Sequence, residues 1–126
     1  MEGKSLILLA ERDPYAAEFT EHFLRTEGYE VGLVFSAEEA LDEAIKRSPD
    51  VAIVDLLISG AHGQRLCSQL IERTRTPVVA ISSLASSEAA YSVGASAFLQ
   101  KPVEPLELIA TVQQLLGPSM PTREAE

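Results

Sequence analysis

Short apolar runs alternate along this chain with stretches in which apolar residues recur every three or four positions. Three of the runs, Leu6–Ala10, Val51–Val54 and Val78–Ile81, are too short to form independent helices, which predicts buried parallel strands. Tyr29–Phe35 and Ala97–Leu99 are weaker strand candidates. The pattern therefore predicts five strands separated by helical segments.

The connecting segments carry apolar residues at helical spacing. The sets are Ala16, Phe19, Phe23 and Leu24; Ala37, Ala40, Leu41, Ala44 and Ile45; Leu66, Leu70 and Ile71; and, expected to face inward on the last helix, Leu106, Ile109, Ala110 and Leu116. Asp13 before Pro14 and Ser36 three residues before Glu39 are typical helix starts. This alternation predicts an α/β fold, a parallel sheet in the order 2-1-3-4-5 with helices on both faces.

Composition narrows the class of protein. The chain has 126 residues, enough for one domain, which we expect at residues 1–117, followed by a flexible tail at 118–126. No apolar run is long enough to span a membrane, the N-terminus has no signal peptide, and the lone Cys67 forms no internal disulfide. With a net charge of −9, the sequence predicts a cytoplasmic protein that binds neither nucleic acid nor membrane.

Polar residues follow several of the predicted strands, at the edge of a parallel sheet where ligands gather. They are Glu11, Arg12 and Asp13 after the first strand, Asp55 after the third, Ser82 and Ser83 after the fourth, and Lys101 and Pro102 after the fifth. Carboxylates, a hydroxyl and an ammonium at one edge are the groups needed to bind a cation and a phosphoryl group.

Four segments resemble the successive signatures of response-regulator receiver domains. They are LILLAERDP, VDLLISGAHG, PVVAISS and GASAFLQKPV. The similarity covers about residues 5 to 117. It implies a flavodoxin-like doubly wound sheet with five helices, and a phosphorelay function in two-component signalling, in which Asp55 accepts a phosphoryl group from a histidine kinase or phosphotransfer protein.

The resemblance also implies a role for individual residues. Glu11, Asp55 and the Leu57 carbonyl would bind Mg²⁺, with Asp13 as a further candidate ligand, although its place before Pro14 favours a helix cap. Phosphoryl binding and switching would fall to Ser82, Phe98 and Lys101. The lysine-proline pair commonly has a cis peptide bond in this family. The output would be contact with a downstream protein, and the domain itself would not be an enzyme.

Three features depart from the family pattern. Arg12 stands where an acidic metal ligand is usual, which implies that Mg²⁺ binding is weak or absent and that phosphorylation is slow or absent if the guanidinium reaches Asp55. Ser59 replaces a proline in the loop after the acceptor, which predicts a looser loop. The fourth helix, near Ser86 to Val93, is expected to be short.

Two alternative functions stay open beside the phosphorylatable receiver. The first is a pseudo-receiver, a binding module that signals without phosphorylation because of Arg12. The second is a flavin- or nucleotide-binding protein on the same kind of sheet, which lacks a glycine-rich phosphate loop after the first strand. Cys67 has no histidine at a recognisable pairing distance, so the pattern favours a small core residue over a nucleophile.

Overall fold

The chain folds as strictly alternating strands and helices in a computed structural model that describes residues 3–60 and 62–117. The strands are β1 (Leu6–Ala10), β2 (Glu30–Val34), β3 (Val51–Asp55), β4 (Val78–Ser82) and β5 (Ala97–Gln100). The helices are α1 (Pro14–Thr26), α2 (Ala37–Arg47), α3 (Gly63–Thr74), α4 (Ser87–Ser92) and α5 (Pro105–Leu116). The tail predicted for residues 118–126 lies outside the described residues.

All five strands are parallel, and they lie in the order β2-β1-β3-β4-β5. The predicted fold is confirmed. Every residue of Val51–Val54 is 0% exposed, and no residue of Val78–Ile81 is more than 4% exposed. Both runs are apolar throughout because helices cover the two faces of the sheet, so that side chains pointing either way are buried.

The alternation of side chains along each strand divides the core into two layers. On one face, Leu8 and Ala10 of β1 pack with residues of α2 and α3, among them Cys67. On the other face, Ile7 and Leu9 pack with residues of α1 and α5. The sheet is therefore held from both sides, and its carboxyl edge is left to the loops that carry polar residues.

The helix starts match their sequence signals, whereas part of the inward face predicted for the last helix does not match the structure. Ser36 caps α2 by accepting a hydrogen bond from the Glu39 N–H at 3.1 Å. The expectation that Leu106 faces inward is wrong, since it is 72% exposed. Ala110 is exposed as well. Apolar residues occur on more than one side of α5, so periodicity alone did not identify the buried stripe, which consists of Leu108, Ile109 and Val112.

Candidate functional site

Three polar side chains from distant parts of the chain meet at the carboxyl edge of the sheet. Glu11 directly follows β1, Asp55 is the last residue of β3, and Lys101 directly follows β5. The Lys101 Nζ donates hydrogen bonds to Glu11 Oε2 at 2.7 Å and to Asp55 Oδ2 at 2.9 Å. Both carboxylates are 1% exposed. One ammonium thus bridges two buried carboxylates.

Backbone hydrogen bonds between neighbouring strands fix the positions of these side chains. The Glu11 N–H donates to the Val34 carbonyl at 3.2 Å, which extends the pairing of β1 with β2. On the other side, the Lys101 N–H donates to the Ser82 carbonyl at 2.8 Å. The side chains are therefore attached to the rigid sheet and not to free loops, as a pre-organised site requires.

The Asp55 carboxylate has a different partner on each of its oxygens. Its Oδ1 accepts a hydrogen bond from the Leu57 N–H at 2.9 Å. Its Oδ2 faces Lys101 and also lies 3.8 Å from Nε of Arg12, whose side chain is 56% exposed. Arg12 therefore turns towards the acidic residues while its other side faces solvent. The contact with Leu57 was not foreseen from the sequence, because any residue type can supply a backbone N–H.

The two carboxyl groups differ in how readily they bind a proton. Burial raises the pKa of Glu11, and a hydrogen bond joining it to Asp55 raises that pKa further, against the opposing effect of Lys101. Burial also acts to raise the pKa of Asp55, but hydrogen bonds with Glu11, Leu57 and Lys101 outweigh it and lower that pKa. Asp55 therefore releases its proton more readily than Glu11 does.

Burial acts to lower the pKa of Lys101, but its hydrogen bonds to Glu11 and Asp55 outweigh burial and raise it. Lys101 therefore keeps its positive charge within the cluster. The Lys101-Pro102 peptide bond is cis.

The other candidate residues lie around this cluster. Ser82 is fully buried, and its Oγ accepts a hydrogen bond from the Leu84 N–H at 3.1 Å. Phe98 is partly buried and packs against the core layer that contains α2 and α3. Asp13 is exposed, and its carboxylate caps α1 by accepting from the Tyr15 N–H at 3.1 Å. In this structure Asp13 therefore acts as a helix cap, which is the role that its place before Pro14 favoured.

The loop after Asp55 is tied to the neighbouring helix by Ser59. The Ser59 Oγ accepts a hydrogen bond from the Ala37 N–H at the start of α2, at 3.0 Å. Ser59 itself has a left-handed backbone with φ of 50°. This contact links the loop to the start of α2, and the looser loop expected from the missing proline stays a prediction.

The residues at this edge offer the type of ligand that Mg²⁺ prefers, but their negative charges are already paired with cationic side chains. Glu11, Asp55 and the Leu57 carbonyl provide the oxygen ligands that Mg²⁺ prefers, and one or two carboxylates are usual for this ion. Within residues 3–60 and 62–117, however, no three acidic, histidine or cysteine side chains form a group that could hold a metal. Lys101 and Arg12 already balance the two carboxylates. The site can therefore take Mg²⁺ only in competition with these cations.

A family profile described as "Response regulator receiver domain" matches residues 7–113. The chain belongs to this family. Among curated relatives, it is 29% identical over 113 residues to the regulatory protein VanR of Enterococcus faecium, covering 87% of this chain and 49% of VanR. A response regulator ArlR of Staphylococcus epidermidis is also 29% identical, with 52% of its length covered. The chain thus spans about half the length of these relatives.

Solved structures of receivers have the same architecture. A response regulator from Chloroflexus aurantiacus is 33% identical with a TM-score of 0.85, and the match covers 91% of this chain and 99% of that one. A CheY-like receiver domain protein from Methanospirillum hungatei is 25% identical with a TM-score of 0.84, covering 90% and 94%. The chain is thus a receiver domain of the kind found in two-component response regulators. In the part of the chain that the structure describes, no helix is long and apolar enough to cross a membrane.

Proposed function

We propose that this receiver accepts a phosphoryl group on Asp55 from the phosphohistidine of a histidine kinase or a phosphotransfer protein. The observation that carries this proposal is the Lys101 ammonium, which lies 2.9 Å from the ionised Asp55 carboxylate. An Asp55 oxygen would form a bond to phosphorus while the bond from phosphorus to the histidine nitrogen breaks. The imidazole leaves with the electron pair of that bond, and an acyl phosphate remains on Asp55.

Several residues of the chain would support this transfer. Lys101 offsets negative charge that develops on the phosphoryl oxygens, and the Leu57 N–H orients the carboxylate through Oδ1. Glu11, Asp55 and the Leu57 carbonyl would hold Mg²⁺, which when bound supplies positive charge to the transferring group. Because Arg12 competes with the metal for Asp55, we expect binding of Mg²⁺ to be weak and transfer to be slow.

The signal would leave the domain through protein contact in the cytoplasm. After transfer, the Ser82 hydroxyl would exchange its contact with the Leu84 N–H for one with the phosphoryl group. Phe98, which packs partly buried on the neighbouring strand β5, would move with it and alter the surface of α4, β5 and α5. A downstream protein that contacts this surface would read the change, and the domain acts as a switch and not as an enzyme on a diffusible substrate.

A second candidate is a binding module that signals without phosphorylation. It is favoured by one observation, namely that Asp55 is 1% exposed beneath Lys101 and Arg12. A donor would have to displace the Arg12 side chain before it could reach the carboxylate.

Labelling with acetyl phosphate and Mg²⁺ separates the two candidates. We expect the wild type to gain the mass of one phosphoryl group, which hydroxylamine removes, and Asp55→Asn to gain none. A wild type and an Arg12→Asp variant that both stay unlabelled after prolonged incubation would exclude phosphorylation and leave the binding module. Labelling that persists in Asp55→Asn would show that the acceptor has been assigned wrongly.

A further inference from the structure

The guanidinium of Arg12 lies beside Asp55 without being held there by a hydrogen bond. Its closest approach to the carboxylate is 3.8 Å, from Nε to Oδ2, which is longer than a hydrogen bond. Within residues 3–60 and 62–117 the guanidinium donates no hydrogen bond, and the side chain is 56% exposed. Its N–H donors thus remain available at the mouth of the site.

The charges at the site are balanced before phosphorylation and unbalanced after it. Glu11 and Asp55, when ionised, face Lys101 and Arg12, so that two negative charges meet two positive ones. Phosphorylation replaces the single charge of Asp55 with a phosphoryl group that carries nearly two negative charges. The cluster then has an excess of negative charge, which favours closer contact with a cation that is free to move.

Of the two cations, only Arg12 has that freedom. Lys101 is 19% exposed and is hydrogen-bonded to both carboxylates, whereas Arg12 makes a single long contact. A guanidinium is planar, and its fork of N–H donors matches two oxygens of one phosphoryl group. The Arg12 side chain, which lies beside Asp55, can therefore turn and donate hydrogen bonds to a phosphoryl group attached to Asp55.

We propose that Arg12 is a phosphoryl-binding residue, which in this chain supplies positive charge that a divalent cation would otherwise bring. The proposal rests on the proposed function, since it takes Asp55 as the acceptor. It predicts that the phosphorylated state is stable with little dependence on Mg²⁺. Arg12 thus contacts the phosphoryl group directly and competes with the metal for the same site.

Beryllofluoride, which mimics a phosphoryl group on a carboxylate, tests this proposal without catalysis. Its affinity is measured through the rise in the thermal unfolding midpoint, once in EDTA and once with Mg²⁺. The variants are Arg12→Gln, which removes the charge, and Arg12→Asp, which adds a metal ligand. Arg73→Gln is the matched control, since Arg73 is an exposed arginine in the last turn of α3, at the opposite end of that helix from its start beside the acceptor loop.

We expect the wild type and Arg73→Gln to bind beryllofluoride in EDTA with an affinity close to that in Mg²⁺. In EDTA, Arg12→Gln should bind at least about tenfold more weakly, and Arg12→Asp should bind only when Mg²⁺ is present. A wild type that needs Mg²⁺, or an Arg12→Gln variant that binds as well as the wild type in EDTA, would overturn the role of Arg12 while leaving Asp55 as acceptor. Failure of every variant to bind under both conditions would instead overturn the proposed function.

Discussion

Arg12 brings a second cation to a cluster whose two carboxylates already share Lys101. A metal ion at the same place would be repelled by that guanidinium. It would also lack a third carboxylate as a ligand. We therefore expect this side chain to shift the balance between ion pair and metal.

Replacing Arg12 with aspartate should increase the affinity for Mg²⁺. The change removes a positive charge 3.8 Å from Asp55 and adds an oxygen ligand. Because the arginine is more than half exposed and screened by water, we expect an increase of about tenfold or somewhat more, roughly 1.4 kcal/mol. Titration calorimetry with MgCl₂ measures it.

Arg73→Asp provides the control for a general change in charge, since Arg73 lies in the last turn of α3. It should leave the affinity for Mg²⁺ nearly unchanged. An ordinary receiver-like affinity in the wild type, together with prompt labelling by acetyl phosphate, would contradict competition by Arg12.

Cys67 illustrates a residue whose chemistry is suppressed by its surroundings. The side chain is fully buried in the core layer of α2 and α3, and burial raises the pKa of its thiol to about 12. Only the thiolate reacts with alkylating agents, so its reactivity in the folded protein should be very low.

We expect iodoacetamide at pH 8 to modify native Cys67 at least about a hundredfold more slowly than the unfolded chain, because the thiolate is scarce and the site is closed. Mass spectrometry with and without urea gives the two rates. Since the folded pKa is raised from 9.0 to about 12, the folded state binds this proton more tightly, and stability should fall as the pH rises between these values. Complete modification of the native protein within minutes would show that the thiol is accessible.

At the scale of elements, the start of α3 packs directly against the segment that follows Asp55. A Cβ atom placed on Gly63 would overlap main-chain atoms of Leu56. The Gly63 N–H also donates to the Leu56 carbonyl at 3.2 Å, which sets the distance between the two segments. Glycine at this position thus allows the helix to begin close to Asp55.

Gly63→Ala should destabilise the fold by roughly 1–3 kcal/mol, because main-chain atoms cannot move aside as a flexible side chain can. The free energy of unfolding in urea measures the effect. Gly3→Ala is the matched control, since a Cβ at Gly3 meets nothing within 4 Å. Equal stability of the two variants would mean that the loop and α3 can separate without cost.

At the scale of the whole molecule, the net charge of −9 governs encounters with other macromolecules. A surface of this sign repels the phosphates of nucleic acid and favours partners that present positive charge. This agrees with the proposed output through protein contact.

We expect the 126-residue chain to show no sequence-selective binding to duplex DNA. A mobility-shift assay at low salt, where electrostatic binding is strongest, is the most demanding measurement. A salt-sensitive shift that differs between duplex sequences would contradict the expectation.

The local sequence was enough to determine the fold and the edge at which the site lies. Val51–Val54 could be recognised as a strand because a parallel strand covered on both faces is apolar throughout. The same reasoning placed Glu11, Asp55 and Lys101 at one edge, since the carboxyl ends of parallel strands meet there.

Contacts between side chains distant in sequence were decided by the tertiary structure alone. The hydrogen bond from Lys101 to Glu11 joins residues 90 positions apart, and the bond from the Ala37 N–H to Ser59 joins residues 22 apart. The direction of Arg12 belongs to the same class, because a residue just past a strand end can face the site or the solvent. Such choices depend on packing, charge and burial in the assembled sheet, and no local pattern of residues encodes them.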